Sequence, residues 1–337
     1  RQIQSFPPFD AFSVLTGKDS HVSRGWSDSV EDSPCKRICP RLCRVNRTIG
    51  QLGRCGETAE CHIASITPHF GEEPCLTGQH GSDTIFFSGC SCGCLFCQNH
   101  QISQQHQGQA YTPERLMAET EELIAKGVHN LNFVTPEHWW PHIQRLCEVI
   151  RPNHPDLPFV WNSSGYSRVE MLSEQTKIID IFLPDFKFSD PDLSQRCIHT
   201  SDYPSVARDA IRYLVDAVGF LRPFDESGEI TASRGVMVRH LVLPGFVENS
   251  LQILEWLYDD FGPKLPISVM SQFTPVPACA EQNFLNRRLT KDEYRQVCDK
   301  VDELGFTRVF LQPDFGDDAF MPDFNDQQPF AGNLNHK

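Results

Sequence analysis

The sequence predicts an α/β fold with a parallel sheet, because short apolar runs alternate with amphipathic segments from residue 83 onward. The apolar runs have no polar face, which is typical of parallel strands buried on both sides. The amphipathic segments carry apolar residues at helical spacing, and several of them end at glycine or proline. The βα unit recurs about six times. This pattern alone is compatible with a doubly wound sheet, a full barrel or a partial barrel.

The elements follow one another in a regular order. Strands are predicted at residues 84–88, 130–134, 159–162, 178–183, 236–243, 267–273 and 307–311. The first helix opens at Thr112 and Pro113 and stops at Gly127. Later helices are predicted at residues 138–150, 168–175, 205–218 and 250–261, followed by a last helix with a capping box formed by Thr290 and Glu293.

Composition excludes several classes of function. The 337 residues carry 44 acidic and 30 basic side chains, a formal charge of −14. No basic face stands out to neutralise phosphates, so nucleic-acid binding is not expected. No apolar run approaches the roughly 18 residues of a membrane span, and the first residues lack an apolar signal region. We therefore expect a cytoplasmic protein without a membrane partner.

Cysteine is over-represented, with fourteen residues. Without a secretion signal, tight groups of cysteines indicate metal sites better than disulfides. Eight cysteines fall in two short groups, and the other six are scattered. We expect the scattered residues to be small buried hydrophobes. They are Cys61, Cys75, Cys147, Cys197, Cys279 and Cys298.

The second group lies directly after the first predicted strand and has the spacing Cys90-x3-Cys94-x2-Cys97. Three thiolates on one short loop can hold three irons of a [4Fe-4S] cubane and leave the fourth iron open to a cofactor or substrate. A zinc site that uses these cysteines with His100 is the alternative. Cys92 adds a thiol inside the loop and permits a competing frame, which fits the spacing less well.

Chemically active residue types follow the later strands as well. In a parallel sheet the carboxyl ends of the strands share one edge, and function sits there. These residues are Thr135 and Glu137 after the second strand, Asn162 and Ser163 after the third, and Asp185 and Lys187 after the fourth.

The motifs together resemble the radical S-adenosylmethionine (SAM) superfamily. The closer resemblance is to the uncharacterised iron–sulfur proteins related to pyruvate formate-lyase activating enzyme. It covers roughly residues 35–312 in collinear order and is carried by the segments GSDTIFFSGC, FCQNHQIS, VTPEH, NSSGY, LPDFK and RHLVLPG. The resemblance implies a partial (β/α)6 TIM-like barrel of the radical SAM type with a small Cys-rich N-terminal extension.

The resemblance also implies the cofactors and their ligands. Cys90, Cys94 and Cys97 would ligate the [4Fe-4S] cluster, and Phe96 before the last cysteine would contact the cofactor. The amino and carboxylate groups of SAM would chelate the fourth iron. An electron donor such as flavodoxin or ferredoxin would then drive cleavage of SAM to methionine and a 5′-deoxyadenosyl radical, which abstracts hydrogen from the substrate.

Three further groups of residues match the cofactor site of activating enzymes. Glu137 keeps the carboxylate that faces the cofactor amino group, although Thr135 and Pro136 replace a Gly-Gly pair. Asn162 and Ser163 match the polar pair after the third strand. Asp185, Lys187 and Arg239 match residues that contact the cofactor ribose and carboxylate.

The sequence departs from the family pattern at two places. Gly93 stands where a basic residue is common. Ser271 and Gln272 replace a histidine that contacts the ribose.

The first cysteine group contains Cys35, Cys39, Cys43 and Cys55, with glycines around the last. Four thiolates suit a second [4Fe-4S] cluster or a closed zinc site. The predicted organisation is an extended arm (1–34), a Cys-rich metal-binding extension (35–80), a radical SAM core (81–275) and a C-terminal helix–strand unit with a tail (276–337).

Three functions follow as hypotheses. The chain is a radical SAM enzyme that activates a glycyl-radical enzyme, a radical SAM enzyme acting on another peptide or small molecule, or a non-enzymatic zinc or Fe–S module. A binding module has no need of Glu137, Asp185, Lys187 and Arg239 at the shared carboxyl edge of the strands, which we call the rim, so these residues argue against the third hypothesis.

Overall fold

The structure is a computed structural model that describes residues 38–312, 321–326 and 328–330. The predicted arm and Cys35 lie outside these residues. Within the described ranges, every helix is too short or too polar to traverse a lipid bilayer.

The described elements alternate along the chain. The strands are β1 (Cys61–His69), β2 (Ser82–Phe87), β3 (Gln109–Tyr111), β4 (Leu131–Val134), β5 (Phe159–Ser163), β6 (Ile181–Pro184), β7 (Gly235–Val236), β8 (Val238–Leu241), β9 (Ile267–Met270) and β10 (Val309–Leu311). The helices are α1 (Pro74–Thr77), α2 (His100–Ser103), α3 (Pro113–Ile124), α4 (Trp140–Ile150), α5 (Val169–Gln175), α6 (Pro191–Ile198), α7 (Tyr203–Val218), α8 (Val247–Phe261), α9 (Pro277–Glu281) and α10 (Lys291–Leu304).

The parallel strands form one continuous series. β2, β4, β5, β6 and β7 pair in that order, and β8, β9 and β10 pair in parallel beyond them. A parallel bridge between Asp185 and Arg239 connects the two groups. Among the described residues, no ladder returns from β10 to β2. The predicted α/β fold with a parallel sheet, the partial barrel of the radical SAM type, is confirmed.

The N-terminal extension is partly continuous with this sheet. β1 runs antiparallel to β2, from Ile63 opposite Phe87 to His69 opposite Ser82, and β3 adds to its other edge. The sheet therefore extends across the predicted boundary at residue 80, and β10 carries it past residue 275. The part of the extension that precedes the sheet is confined to residues 38–60 of the described chain.

The core occupies both faces of the strands. All residues of β2, β4 and β6 are buried. Inside the curve of the sheet, Cys75 and Leu76 of α1 pack against Val160, Ile181 and Met237. Five of the six scattered cysteines are buried, which confirms their expected role as hydrophobes, and Cys298 is half-buried.

Helix termini agree with their sequence signals. The Thr112 side chain accepts a hydrogen bond from the Arg115 amide at the start of α3, and the predicted capping box of Thr290 and Glu293 is present. α4 begins two residues later than predicted, because a 3-10 turn at Glu137–Trp139 precedes it. This turn carries Glu137 at the edge of the sheet.

Candidate active site

The cysteine loop follows β2 and is held by its neighbours. The amide of Leu95 donates to the carbonyl of Cys197 at 2.9 Å, and Gln104 Nε2 donates to the carbonyl of Cys94 at 2.6 Å. The amide of Gly89 donates to the carbonyl of Ile102 at 2.9 Å. The path of the loop is therefore defined by the protein itself.

The three predicted cluster ligands lie along this loop. Cys90 and Cys94 are buried and Cys97 is partly exposed, with its sulfur accepting a hydrogen bond from Ser103 Oγ at 3.2 Å. A hydrogen bond with Cys92, together with burial, raises the pKa of Cys90, and burial raises the pKa of Cys97. The raised pKa values favour the protonated thiols. A bound metal cation reverses this preference, because a thiol that coordinates a metal is deprotonated.

The donor set fits an iron–sulfur cluster by its chemistry, with three thiols on one loop and no carboxylate among them. As the side chains of the described residues stand, no three His, Cys, Asp or Glu groups converge as metal ligands do. The assignment of Cys90, Cys94 and Cys97 therefore rests on their type, spacing and common loop. His100, the zinc ligand of the alternative, begins α2.

Cys92 is completely buried beside the predicted ligands. Its thiol forms hydrogen bonds with Cys90, Cys94 and Ser164. The Cys92 side chain thus links the cysteine loop to Ser164, directly after β5, where Glu137 is also bound.

Glu137 is the best-defined residue of the rim. It is only 2% exposed, and its Oε1 accepts hydrogen bonds from the Ser164 amide at 2.8 Å and the Ser164 hydroxyl at 2.5 Å. Its Oε2 is buried and has no hydrogen-bond partner among the described residues. Burial raises the pKa of this carboxyl. A buried acceptor without a donor is costly, so this oxygen fits a cationic donor such as the amino group of SAM.

Thr135, two residues before Glu137, has a left-handed backbone with φ of 55°. A β-branched residue is strained in this region, at a cost of about 1–3 kcal/mol. The predicted match places Thr135 where related enzymes have glycine, and the positive φ is a physical reason for glycine there. The strained turn presents Glu137 to the rim.

The polar residues at the end of β5 and directly after it have different partners. Ser163 and Asn162 were predicted from sequence, but the partner of Glu137 is Ser164. Asn162 instead approaches Glu72 Oε1 at 3.5 Å, inside the barrel. Ser164 is the third residue of the Asn-Ser-Ser-Gly run and could have been found from its position beside Gly165.

Asp185 and Lys187 form a half-buried ion pair after β6. Burial disfavours the Lys187 ammonium, but the Asp185 carboxylate raises its pKa well above the ordinary value. The hydroxyl of Tyr203 accepts from the Lys187 amide at 3.0 Å and lies 2.9 Å from the carbonyl of Asp185. Tyr203, the first residue of α7, was not predicted and holds this turn together.

Arg239 is engaged by two carboxylates inside the barrel. Its Nε donates to Glu73 Oε1 at 3.0 Å, and its Nη2 binds both Glu72 and Glu73. Burial opposes ionisation of Glu72, but Arg239 lowers its pKa. The predicted contact of Arg239 with the cofactor carboxylate stays a prediction, and the two glutamates are partners that the sequence did not indicate.

Two other positions considered in the sequence lie within the cysteine loop or contact its end. Phe96 is buried, and its ring centroid lies 6.1 Å from Phe188 and 5.9 Å from Phe273. Gln272, at the position of the missing histidine, accepts through its carbonyl from Gln98 Nε2 at 2.7 Å. This bond ties the end of the cysteine loop to the strand-end segment after β9.

The N-terminal cysteines lie close to the cluster loop. Cys43 Sγ accepts a hydrogen bond from the Arg54 amide at 3.2 Å. Burial raises the pKa of Cys55, and the nearby Cys43 thiol raises it further. A Cβ at Gly89 would lie 2.6 Å from the Cys55 carbonyl oxygen, so the two segments are in direct contact. Cys39 is buried, and Cys35 lies outside the described residues.

A thiol loop lies at the carboxyl end of the first parallel strand beside a rim of buried and half-buried polar residues, an arrangement typical of an enzyme that binds a cofactor at this edge of a partial barrel. The comparison with protein families agrees. Residues 84–257, more than half of the chain, match the model of the radical SAM superfamily. The chain belongs to this superfamily.

Individual relatives are distant. An uncharacterized protein of Methanocaldococcus jannaschii is 26% identical over 282 residues, covering 81% of this chain and 76% of the relative. SuiB of Streptococcus suis bound to its precursor peptide SuiA has a TM-score of 0.46 at 8% identity, over 66% of this chain and 46% of SuiB. This chain thus spans less than half the length of SuiB. Methylornithine synthase (PylB) has a TM-score of 0.45 at 14% identity, over 76% of this chain and 77% of PylB.

Membership in the superfamily supports an enzyme with SAM-dependent radical chemistry and implies a [4Fe-4S] cluster and SAM as its bound groups. It does not identify the substrate or the nature of the N-terminal cysteine site.

Proposed function

We propose that this chain is an oxidoreductase that holds a [4Fe-4S] cluster through Cys90, Cys94 and Cys97 and binds SAM at the adjoining rim. When bound, the two groups supply reductive cleavage of SAM and a 5′-deoxyadenosyl radical that abstracts a hydrogen atom from the substrate. The residues of the chain bind and orient these groups and exclude water from them.

The observation that carries the proposal is the unpaired Oε2 of Glu137. Ser164 fixes the carboxylate through Oε1, so the second oxygen points in a defined direction and needs a donor. The cofactor ammonium is a donor of the right charge, and a charge-assisted hydrogen bond in a buried site is strong. The negative charge of Glu137 contributes to the raised pKa of Cys90, as expected if the carboxylate lies near the cysteine loop.

The other rim residues complete the cofactor site in this proposal. Thr135 shapes the turn that carries Glu137. Asp185 and Lys187 offer an acceptor for ribose hydroxyls and a donor for a carboxylate. The remaining contacts proposed from the family resemblance are those of Phe96, Asn162, Ser163 and Arg239.

The proposed substrate is a backbone glycine of a glycyl-radical enzyme. The support is the resemblance of the rim segments to the relatives of pyruvate formate-lyase activating enzyme. Another peptide or a small molecule is the second substrate class, and the experiment below distinguishes them.

A second metal site is proposed at Cys35, Cys39, Cys43 and Cys55. The proximity of Cys43 and Cys55 and the burial of Cys39 support it. Replacing Cys39 and Cys43 by alanine should remove the extra metal equivalent and leave SAM cleavage intact. An unchanged metal content would contradict this site.

The cluster assignment is tested by cofactor cleavage. Anaerobically reconstituted protein should bind about four irons per cluster and release 5′-deoxyadenosine with dithionite and SAM. Cys97→Ala should abolish this release, while Cys298→Ala, which removes a half-buried thiol from α10, should retain it. Activity in the Cys97 variant would contradict the assignment.

The substrate is tested by hydrogen-transfer tracing. A candidate glycyl-radical enzyme deuterated at glycine should transfer deuterium to 5′-deoxyadenosine. Transfer from another deuterated peptide or small molecule, but not from glycine, would reject the glycine target and leave the cleavage chemistry standing.

A further inference from the structure

One cavity of the described chain borders the cysteine loop. It has a volume of about 330 Å³, and Cys90, Gly93 and Leu95 form one of its walls. The opposite walls come from the ends of α2 and α6 and from α9. A Cβ at Gly93 would meet only the guanidinium of Arg54, at 3.5 Å, so no other side chain covers the loop backbone at this point.

The titratable groups around this cavity have one sign of charge. Apart from Cys90 they are Arg54, Arg196, His106 and His199, and no carboxylate is among the lining residues. The chain as a whole carries a formal charge of −14, whereas the lining of this cavity is basic. We name these four residues the basic face.

The two arginines of the basic face are available to a partner. Both are exposed, and neither has a carboxylate partner within the described part of the chain. Arg196 is positioned by the ring of Phe284, whose centroid lies 3.4 Å from the guanidinium carbon. His106 differs, because its Nδ1 lies 2.7 Å from the buried carboxylate of Glu57. The charge of the face therefore comes mainly from Arg54 and Arg196.

A further cation, Arg41, stabilises the segments that form this surface. Arg41 donates to the carbonyls of Ser91 at 2.8 Å, Ile198 at 2.6 Å and His199 at 3.1 Å. It therefore joins the cysteine loop to the end of α6 without meeting a carboxylate in these bonds. The cavity wall is built by protein contacts that add positive charge.

We infer that the basic face is the docking site of a small acidic redox protein that reduces the cluster. The inference rests on the proposed function, which requires one electron per SAM cleaved. In the docked complex one electron passes from the reduced donor to this chain through the wall formed by Cys90, Gly93 and Leu95. The donor is oxidised by one electron, and no bond forms between the proteins.

Electrostatics favours an acidic donor at this place. Surface charges act over about 8 Å at physiological ionic strength. Negative charges of the chain that lie farther away than this are screened, so the arginines that line the cavity bear on the orientation of a partner. Complementary charge governs association rate and register more than it governs total affinity.

The test uses full-length reconstituted protein and compares two reductants. In the Arg54→Glu, Arg196→Glu double variant, 5′-deoxyadenosine formation with dithionite should be unchanged, because neither residue belongs to the cofactor site. With reduced flavodoxin as the acidic donor, the rate should fall at least about tenfold. The matched control is Lys177→Glu, Arg295→Glu, which makes the same charge change at exposed sites on other surfaces and should keep the flavodoxin-driven rate.

A binding measurement provides a readout independent of turnover. Oxidised flavodoxin should bind the wild-type protein and the control, and bind the Arg54, Arg196 variant at least about tenfold more weakly. If the charge reversal impairs folding, the Arg54→Gln, Arg196→Gln variant should show the same loss in smaller measure.

Equal flavodoxin-driven rates in the variant and the wild type would overturn the inference. A parallel loss with dithionite would also overturn it, because the arginines would then support the cluster and not the donor. Wild-type protein that cleaves SAM with neither reductant would instead reject the proposed function, and the docking inference with it.

Discussion

Glu137 at the rim is buried, and Glu72 and Glu73 inside the barrel have side chains that are 9% exposed, but the surroundings of these carboxylates differ. Glu72 and Glu73 share the guanidinium of Arg239. Among the described residues, Glu137 accepts hydrogen bonds from Ser164 through one oxygen, and its other oxygen has no hydrogen-bond partner. Burial raises the pKa of Glu137, whereas Arg239 lowers that of Glu72.

The comparison separates a structural charge from a functional one. A carboxylate whose partners are all supplied by the chain contributes to the interior and needs no ligand. A carboxylate that is fixed through one oxygen and left open at the other is prepared for a ligand with a positive donor. The two regions should therefore respond in opposite ways to mutation.

The largest effect is expected inside the barrel. Arg239→Met would leave the carboxylates of Glu72 and Glu73, whose side chains are 9% exposed, without their cation, which should lower the free energy of unfolding by about 3–5 kcal/mol. Arg239→Lys keeps the positive charge, so its free energy of unfolding should fall by less. Urea unfolding of the apoprotein measures both variants. A loss below about 1 kcal/mol in Arg239→Met would show that the pairing is not structural.

At the rim, removing the charge should stabilise the apoprotein as the pH rises. Burial raises the pKa of Glu137 in the folded state, so ionising it opposes folding. As the pH rises from the ordinary carboxyl pKa through the raised one, the wild type loses stability that Glu137→Gln retains. Urea unfolding from about pH 4 to about pH 8 should show a difference that widens in favour of the variant. A difference independent of pH would contradict the assignment.

The smallest effect is expected at Asn132, which donates to Glu72 Oε1 at 2.9 Å while its own Oδ1 is buried without a partner among the described residues. Asn132→Leu removes a hydrogen bond and an unsatisfied acceptor together. The two changes offset each other, so the free energy of unfolding should change by no more than about 1 kcal/mol. A loss of unfolding free energy near that of Arg239→Met would show that Asn132 is essential to the ion pairing of Arg239 with Glu72 and Glu73.

The parallel strands and most of the helices could be predicted from sequence, because apolar strands and amphipathic helices have distinct periods. β1 was missed. Its buried and half-buried residues alternate, and Pro68 weakens the strand signal within a segment rich in cysteine and glycine. It becomes a strand through its long ladder with β2, which a local pattern does not reveal.

The positions of candidate site residues could be predicted where they come within three residues of a strand end, as Cys90, Glu137 and Asp185 do. The site was not predictable where the contact spans the chain. Ser164 meets Glu137 across 27 positions, and Glu73 meets Arg239 across 166. Only the folded barrel shows that Arg239 already has two carboxylate partners and that one oxygen of Glu137, Oε2, has no hydrogen-bond partner among the described residues.

The most direct test of the central claim is the dissociation constant of SAM, measured by anaerobic titration of the reconstituted protein. Glu137→Gln removes the charge that would face the cofactor ammonium, and it should weaken binding by about 10- to 100-fold. Glu73→Gln, which changes a carboxylate already bound to Arg239, should leave the affinity nearly unchanged. Equal affinities in wild type and Glu137→Gln would contradict the account.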